Sequence, residues 1–146
     1  MSTEETKPTN QENLEKMQDE IRSVLGEIEY LRQQIGVIDT TITDLRTVSE
    51  TLSYMKEKGE GRSIYIPLGA GVAIKGKIES VNDLVMDVGA GLLVSATIEE
   101  VKEDLDRRIN ALLSLRRALL KKIEEDSRKV NELIEKVRKL GGEGRA

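Results

Sequence analysis

From Leu14 onward, apolar residues recur at alternating spacings of three and four. Leu14, Ile21, Ile28, Ile35 and Ile42 form one line; Met17, Val24, Leu31, Ile38, Leu45 and Leu52 form the other, and Ser49 alone interrupts them. A seam of this kind predicts a coiled-coil helix over residues 11–58. At 1.5 Å per residue it is roughly 70 Å long. Gly26 and Gly36 fall on the outward face, where each costs about 1 kcal/mol of helix propensity and leaves the seam intact.

A second seam follows Thr97-Ile98-Glu99-Glu100, which has the S/T-x-x-E form of a capping box. It reads Leu105, Ile109, Leu112, Arg116, Leu119, Ile123, Asp126, Val130, Leu133, Val137 and Leu140, with Leu113, Leu120 and Ile134 widening the stripe. Gly141-Gly142 predicts the helix end, giving a helix over 97–140. Two helices of similar length joined by a short insert predict an antiparallel pair, with Lys58 opposite Ile98. Arg116 then falls near Thr40, within reach of Asp39 or Asp44, and Asp126 near Tyr30 and Arg32. The two polar seam residues are expected to fix register by pairing across the helices. Residues 1–10 and 141–146 are expected to be flexible tails.

Residues 62–96 follow a period of two. Ile64, Ile66 and Leu68 share one face; Val72, Ile74, Gly76 and Ile78 alternate with Ala73, Lys75, Lys77 and Glu79, as in a half-buried strand. Gly69-Ala70-Gly71 and Gly89-Ala90-Gly91 mark two turns twenty residues apart, and Leu84–Val88 and Leu92–Ala96 flank the second. The insert is therefore read as two β-hairpins. Hairpins of this size cannot bury a sufficient core alone, and their open edges invite pairing, so an oligomer is expected.

Composition narrows the function. The 146 residues include no Cys, His, Trp or Phe, three Tyr, and 34% charged residues with a net charge of −4. High charge and few aromatics suit long solvated helices more than a compact core. Without His or Cys, and with acids spread over solvated faces, no catalytic, metal or cofactor-binding residues are assigned. Each GAG enters a strand and completes neither a Walker nor a dinucleotide motif. Lys75 and Lys77 lack aromatics for base stacking, so no nucleic acid is expected. No apolar run is long enough to span a bilayer and the polar start lacks a signal peptide's apolar stretch, which predicts a cytoplasmic protein without a membrane partner.

The order helix, two hairpins, helix, with Ile66-Pro67-Leu68-Gly69-Ala70-Gly71, Lys75-Gly76-Lys77-Ile78 and Val88-Gly89-Ala90-Gly91, resembles the α-type subunit of prefoldin over residues 14–140. That family's β-type subunit has a single hairpin, so two favour the α type, and the composition favours an archaeal source. The resemblance implies a mainly α fold: a long antiparallel two-helix coiled coil with two inserted β-hairpins. It further implies a hexamer of two α and four β subunits whose hairpins form a barrel body. Such a complex is an ATP-independent holdase that captures unfolded client proteins at its coiled-coil tips and delivers them to a group II chaperonin. On seam position, the client-binding tip is expected at Leu14, Met17, Ile21, Val130, Leu133, Ile134, Val137 and Leu140. The oligomerisation surface is expected at Ile64, Ile66, Val72, Ile74, Ile78, Leu84, Met86, Val88, Leu92 and Val94. The alternative reading is a structural scaffold or filament built on the same fold.

Overall fold

The computed structural model describes residues 9–143, with side chains through Gly141. The elements run α1 (Asn10–Lys58), β1 (Ser63–Gly69), β2 (Val72–Lys77), β3 (Leu84–Asp87), β4 (Leu93–Ala96) and α2 (Ile98–Glu143). Of the tail expected at residues 1–10, residues 1–8 lie outside the described residues, as do the last three of the other tail, whereas Thr9 caps α1 and Asn10 begins it. Helix α2 passes through Gly141 and Gly142 to Glu143, where the sequence predicted a stop. Gly141 does not take the positive φ of a glycine C-cap.

Local chemistry fixes the helix starts. The Glu12 amide donates to Thr9 Oγ1 at 3.3 Å, capping α1. The Glu100 amide donates to Thr97 Oγ1 at 3.2 Å, and the Thr97 hydroxyl donates to Glu100 Oε1 at 3.2 Å. Glu100 therefore closes the predicted capping box on the hydroxyl. Near the end of α1, Thr47, Thr51 and Ser53 donate their hydroxyls to the carbonyls four residues earlier. A Ser/Thr-rich stretch of weak helix formers thus stays helical with its polar groups satisfied.

The described residues divide into two compact units: residues 39–113, and residues 9–38 with 114–143. In the first, Leu52, Val81, Ile98 and Leu105 form a buried cluster against which Leu45, Ile78, Leu84 and Val101 pack. Ile98 is 1% exposed. The cluster joins both helices to the roots of both hairpins, and each fully buried aliphatic side chain contributes about 1.5–3 kcal/mol. Lys102 reaches Ser53, and Lys56 pairs with Glu99 at 2.5 Å, so the helices run antiparallel here.

In the second unit Val24, Ile28 and Val130 are buried together, flanked by Ile21 and Ile123. Val130 lies between Val24 and Ile28, in keeping with the expected antiparallel register. Lys129 pairs with Glu20 at 3.1 Å and Lys122 with Glu27 at 3.9 Å. These pairs are half exposed and contribute about 0–1 kcal/mol each, so the apolar seam dominates. Asp126 departs from its predicted role. Its ion pair, at 3.2 Å, is to Lys122 one turn back on its own helix. Its Oδ2 has no hydrogen-bond partner among the described residues, so neither Tyr30 nor Arg32 supplies the expected cross-helix pair. Leu120 and Ile134 are also largely exposed and do not widen the packed stripe.

The strands form two separate two-stranded antiparallel sheets, β1–β2 and β3–β4. Ser63 pairs with Lys77, Ile64 with Gly76 and Ile66 with Ile74, with a bulge between Pro67 and Gly69. Leu84 pairs with Ala96 and Met86 with Val94. Beyond β2, the Ile78 amide donates to the Arg62 carbonyl and the Gly61 amide to the Ile78 carbonyl, tying the first hairpin to its root.

Candidate functional site at the hairpins and helix ends

At both turns the backbone takes positive φ at all three residues: Gly69 +110°, Ala70 +52° and Gly71 +78°, then Gly89 +115°, Ala90 +52° and Gly91 +74°. Two glycines in each turn make this path accessible, and the central alanine accepts a left-handed conformation. In the second turn Asp87 Oδ1 accepts from the Gly89 amide at 2.8 Å. The turns close hairpins whose apolar side chains are left open. Ile64, Ile66, Val72, Ile74, Val88, Leu92 and Val94 are exposed, between 37% and 63%. Ile78, Leu84 and Met86 are half-buried against the hairpin roots. The period of two is real, but the chain alone covers neither Val72 nor Ile74, so the strand is not half-buried within one chain. Tyr65, Leu68, Val85 and Leu93, each above 60% exposed, extend the apolar surface beyond the residues predicted for it. Every strand lies at an edge, because each sheet has only two. The arrangement offers backbone donors and acceptors flanked by aliphatic side chains, which is what an added strand requires.

A pocket of about 470 Å³ lies where α1 meets the first hairpin, lined by Tyr54, Met55, Gly59, Arg62, Ile64 and Ile78 among others. Arg62 sits 5.6 Å from the centroid of the Tyr54 ring. This cation–π contact adds about 0.5–1 kcal/mol at an exposed site.

At the free helix ends exposure rises along the seam. Val24, Ile28, Val130 and Leu133 are buried, whereas Leu14, Met17, Ile21, Val137 and Leu140 are half-buried and Ile134 is 49% exposed. The predicted tip residues therefore divide: Val130 and Leu133 belong to the packed seam, and the other six present apolar surface.

The electrostatics are those of solvated helix faces. Lys56 donates to Glu99 and holds its carboxyl below the usual carboxylate range. The Asp126 carboxylate beside Lys122 raises that ammonium above its usual range. The stabilisation carried by Glu99 is present above the ordinary carboxylate pKa and is lost as the pH falls through its lowered value, and that carried by Lys122 is present below the ordinary lysine pKa and is lost as the pH rises through its raised value. Both groups are well exposed, so solvent screens them. Among the described residues no cluster of His, Cys, Asp and Glu could hold a metal ion, and no helix is long and apolar enough to cross a membrane.

Comparison with known proteins matches the whole arrangement. A family model described as Prefoldin subunit matches residues 24–143. The chain is 65% identical to prefoldin subunit alpha 2 of Thermococcus kodakarensis, over 90% of this chain and 93% of that protein. It is 38% identical to a putative prefoldin subunit alpha of Aquifex aeolicus, over 95% and 93%. Among solved structures it is similar to a chain of filamentous PFD from Methanocaldococcus jannaschii, determined by cryo-EM. The TM-score is 0.72, with 32% identity over 80% of this chain and 96% of that one.

Proposed function

The chain belongs to the prefoldin family, and from that premise we propose that it works as an ATP-independent holdase subunit, capturing unfolded proteins at its free helix ends. Family membership makes it a chaperone subunit of the α type, which assembles with other prefoldin subunits and is not an enzyme. The finer reading is a cytoplasmic hexamer of two α and four β subunits that passes its clients to a group II chaperonin. The observation that carries client capture is the rise in exposure toward the helix ends. Leu14, Met17, Ile21, Ile134, Val137 and Leu140 present aliphatic area next to a seam that is closed at Val24, Ile28, Val130 and Leu133. Apolar contact with an unfolded chain returns about 25 cal/mol per Å², so one end binds weakly and several ends around one client bind by avidity.

The test is truncation. A chain lacking residues 1–25 and 130–146, assembled with its β-type partners, should keep the size of the full complex. It should lose suppression of the aggregation of a chemically denatured protein in the absence of ATP. Full protection by the truncated complex would move client binding to the hairpin body.

A second reading has one observation in its favour: the similar Methanocaldococcus jannaschii structure is filamentous. Two hairpins with open edges give each chain two places to pair, so heterologous pairing could extend as a filament.

A further inference from the structure

The seam of α2 contains a buried charge. Asp126 is 3% exposed, between the seam residues Ile123 and Val130. Its Oδ1 pairs with Lys122 at 3.2 Å, and no donor among the described residues reaches its buried Oδ2. The compensating ammonium is itself half in water and shared with Glu27 of α1 at 3.9 Å. A carboxylate held in an apolar layer by one screened partner disfavours the closed state. Separating the helices at this layer returns both oxygens to water. Beyond it lie the buried Val24, Val130 and Leu133, and then the half-buried Leu14, Met17 and Ile21 on α1 and Val137 and Leu140 on α2.

We infer that Asp126 is the layer that sets how readily the free helix ends part, so that its buried carboxylate keeps the apolar ends available to unfolded chains. The link to clients rests on the reading of the ends as the capture site. The opening itself does not, since it depends only on the seam. Asp126 acts here through the packing of its neighbours and touches no client. Val24, Ile28 and Val130 pack together on its free-end side, so parting that reaches the carboxylate breaks this layer, and the hydration that Asp126 regains offsets part of that cost.

The test uses the full chain assembled with its partner subunits, with Asp126→Leu and Asp126→Asn. Leucine continues the apolar seam, and asparagine removes the charge while keeping the shape. Amide hydrogen exchange over residues 10–24 and 128–143 should slow at least about tenfold in Asp126→Leu, and by less in Asp126→Asn. Unchanged or faster exchange in Asp126→Leu would overturn the inference, because a carboxylate that fixes register would leave a looser coil when replaced. Aggregation suppression measured on the same samples separates the two readings. Slower exchange with weaker suppression supports both. Slower exchange with full suppression keeps the role of Asp126 and counts against capture at the helix ends.

Discussion

Gly59 sits where α1 gives way to the first hairpin, and its backbone leaves no room for a side chain. A Cβ built on it would stand 2.6 Å from the Met55 carbonyl oxygen and 2.8 Å from the Met55 Cα, both backbone atoms that cannot swing aside. The Gly59 amide also donates to that carbonyl at 2.8 Å, so the approach is held in place. Gly59→Ala should therefore destabilise the fold by about 1–3 kcal/mol, read as a lower thermal midpoint by circular dichroism at fixed protein concentration. By contrast Gly26 and Gly36 have open space at their Cβ positions, and alanine there is expected to be tolerated. The sequence alone distinguishes these glycines poorly. Heptad spacing shows that Gly26 and Gly36 face outward, but the close approach at Gly59 depends on the path of the chain after the helix. Ile98 was likewise legible only as a member of the capping box. Its burial arises because Val81, set among the turn residues Ser80 and Asn82, folds back onto Leu52 and Leu105. No periodic pattern reports a single apolar residue in a turn. Asp126 was visible as a break in the seam. Its partner was not, because a lysine one turn back is as good a neighbour on a helix as any residue across the interface.

The hairpins as elements were legible almost to the residue, since both the period of two and the doubled Gly-Ala-Gly are local signals. Their burial was not legible, because it is not a property of one chain. Ile66 pairs with Ile74 across the first hairpin and lays its Cδ1 over Gly76, so the hairpin orders its own apolar face before any partner arrives. That face remains open, with Ile74 54% exposed. The substitution Ile74→Asp should then cost the isolated chain less than about 1 kcal/mol, because the carboxylate stays in water. In an assembly that covers this face, the same carboxylate would be buried without a partner, which costs several kcal/mol. The expected result is an Ile74→Asp chain with full helix content by circular dichroism and no stable complex with its partner subunits by size-exclusion chromatography. A variant that still elutes with the wild-type complex would remove the first hairpin's apolar face from the assembly surface.

For the molecule as a whole, the number of open edges governs what it builds. Each chain carries two separate hairpins, and each hairpin has two strands with an unpaired edge. A subunit with two such hairpins offers four open edges, and a subunit with one hairpin, as expected for the β type, offers two. Heterologous pairing among two-hairpin chains therefore either closes on itself or continues as a filament. Apolar side chains from Ile64 to Val94 are exposed on both hairpins, and we propose that their burial drives assembly in either case. The purified chain alone should show a mass distribution that shifts upward with concentration over about a hundredfold range. Adding β-type subunits in excess should collapse that distribution to one discrete mass, because their hairpins compete for the edges through which the two-hairpin chains pair with one another. Mass photometry or light scattering on the two mixtures reads this directly. A chain that stays monomeric at every concentration would show that its hairpins do not pair with those of other copies, which would exclude a filament of this chain alone.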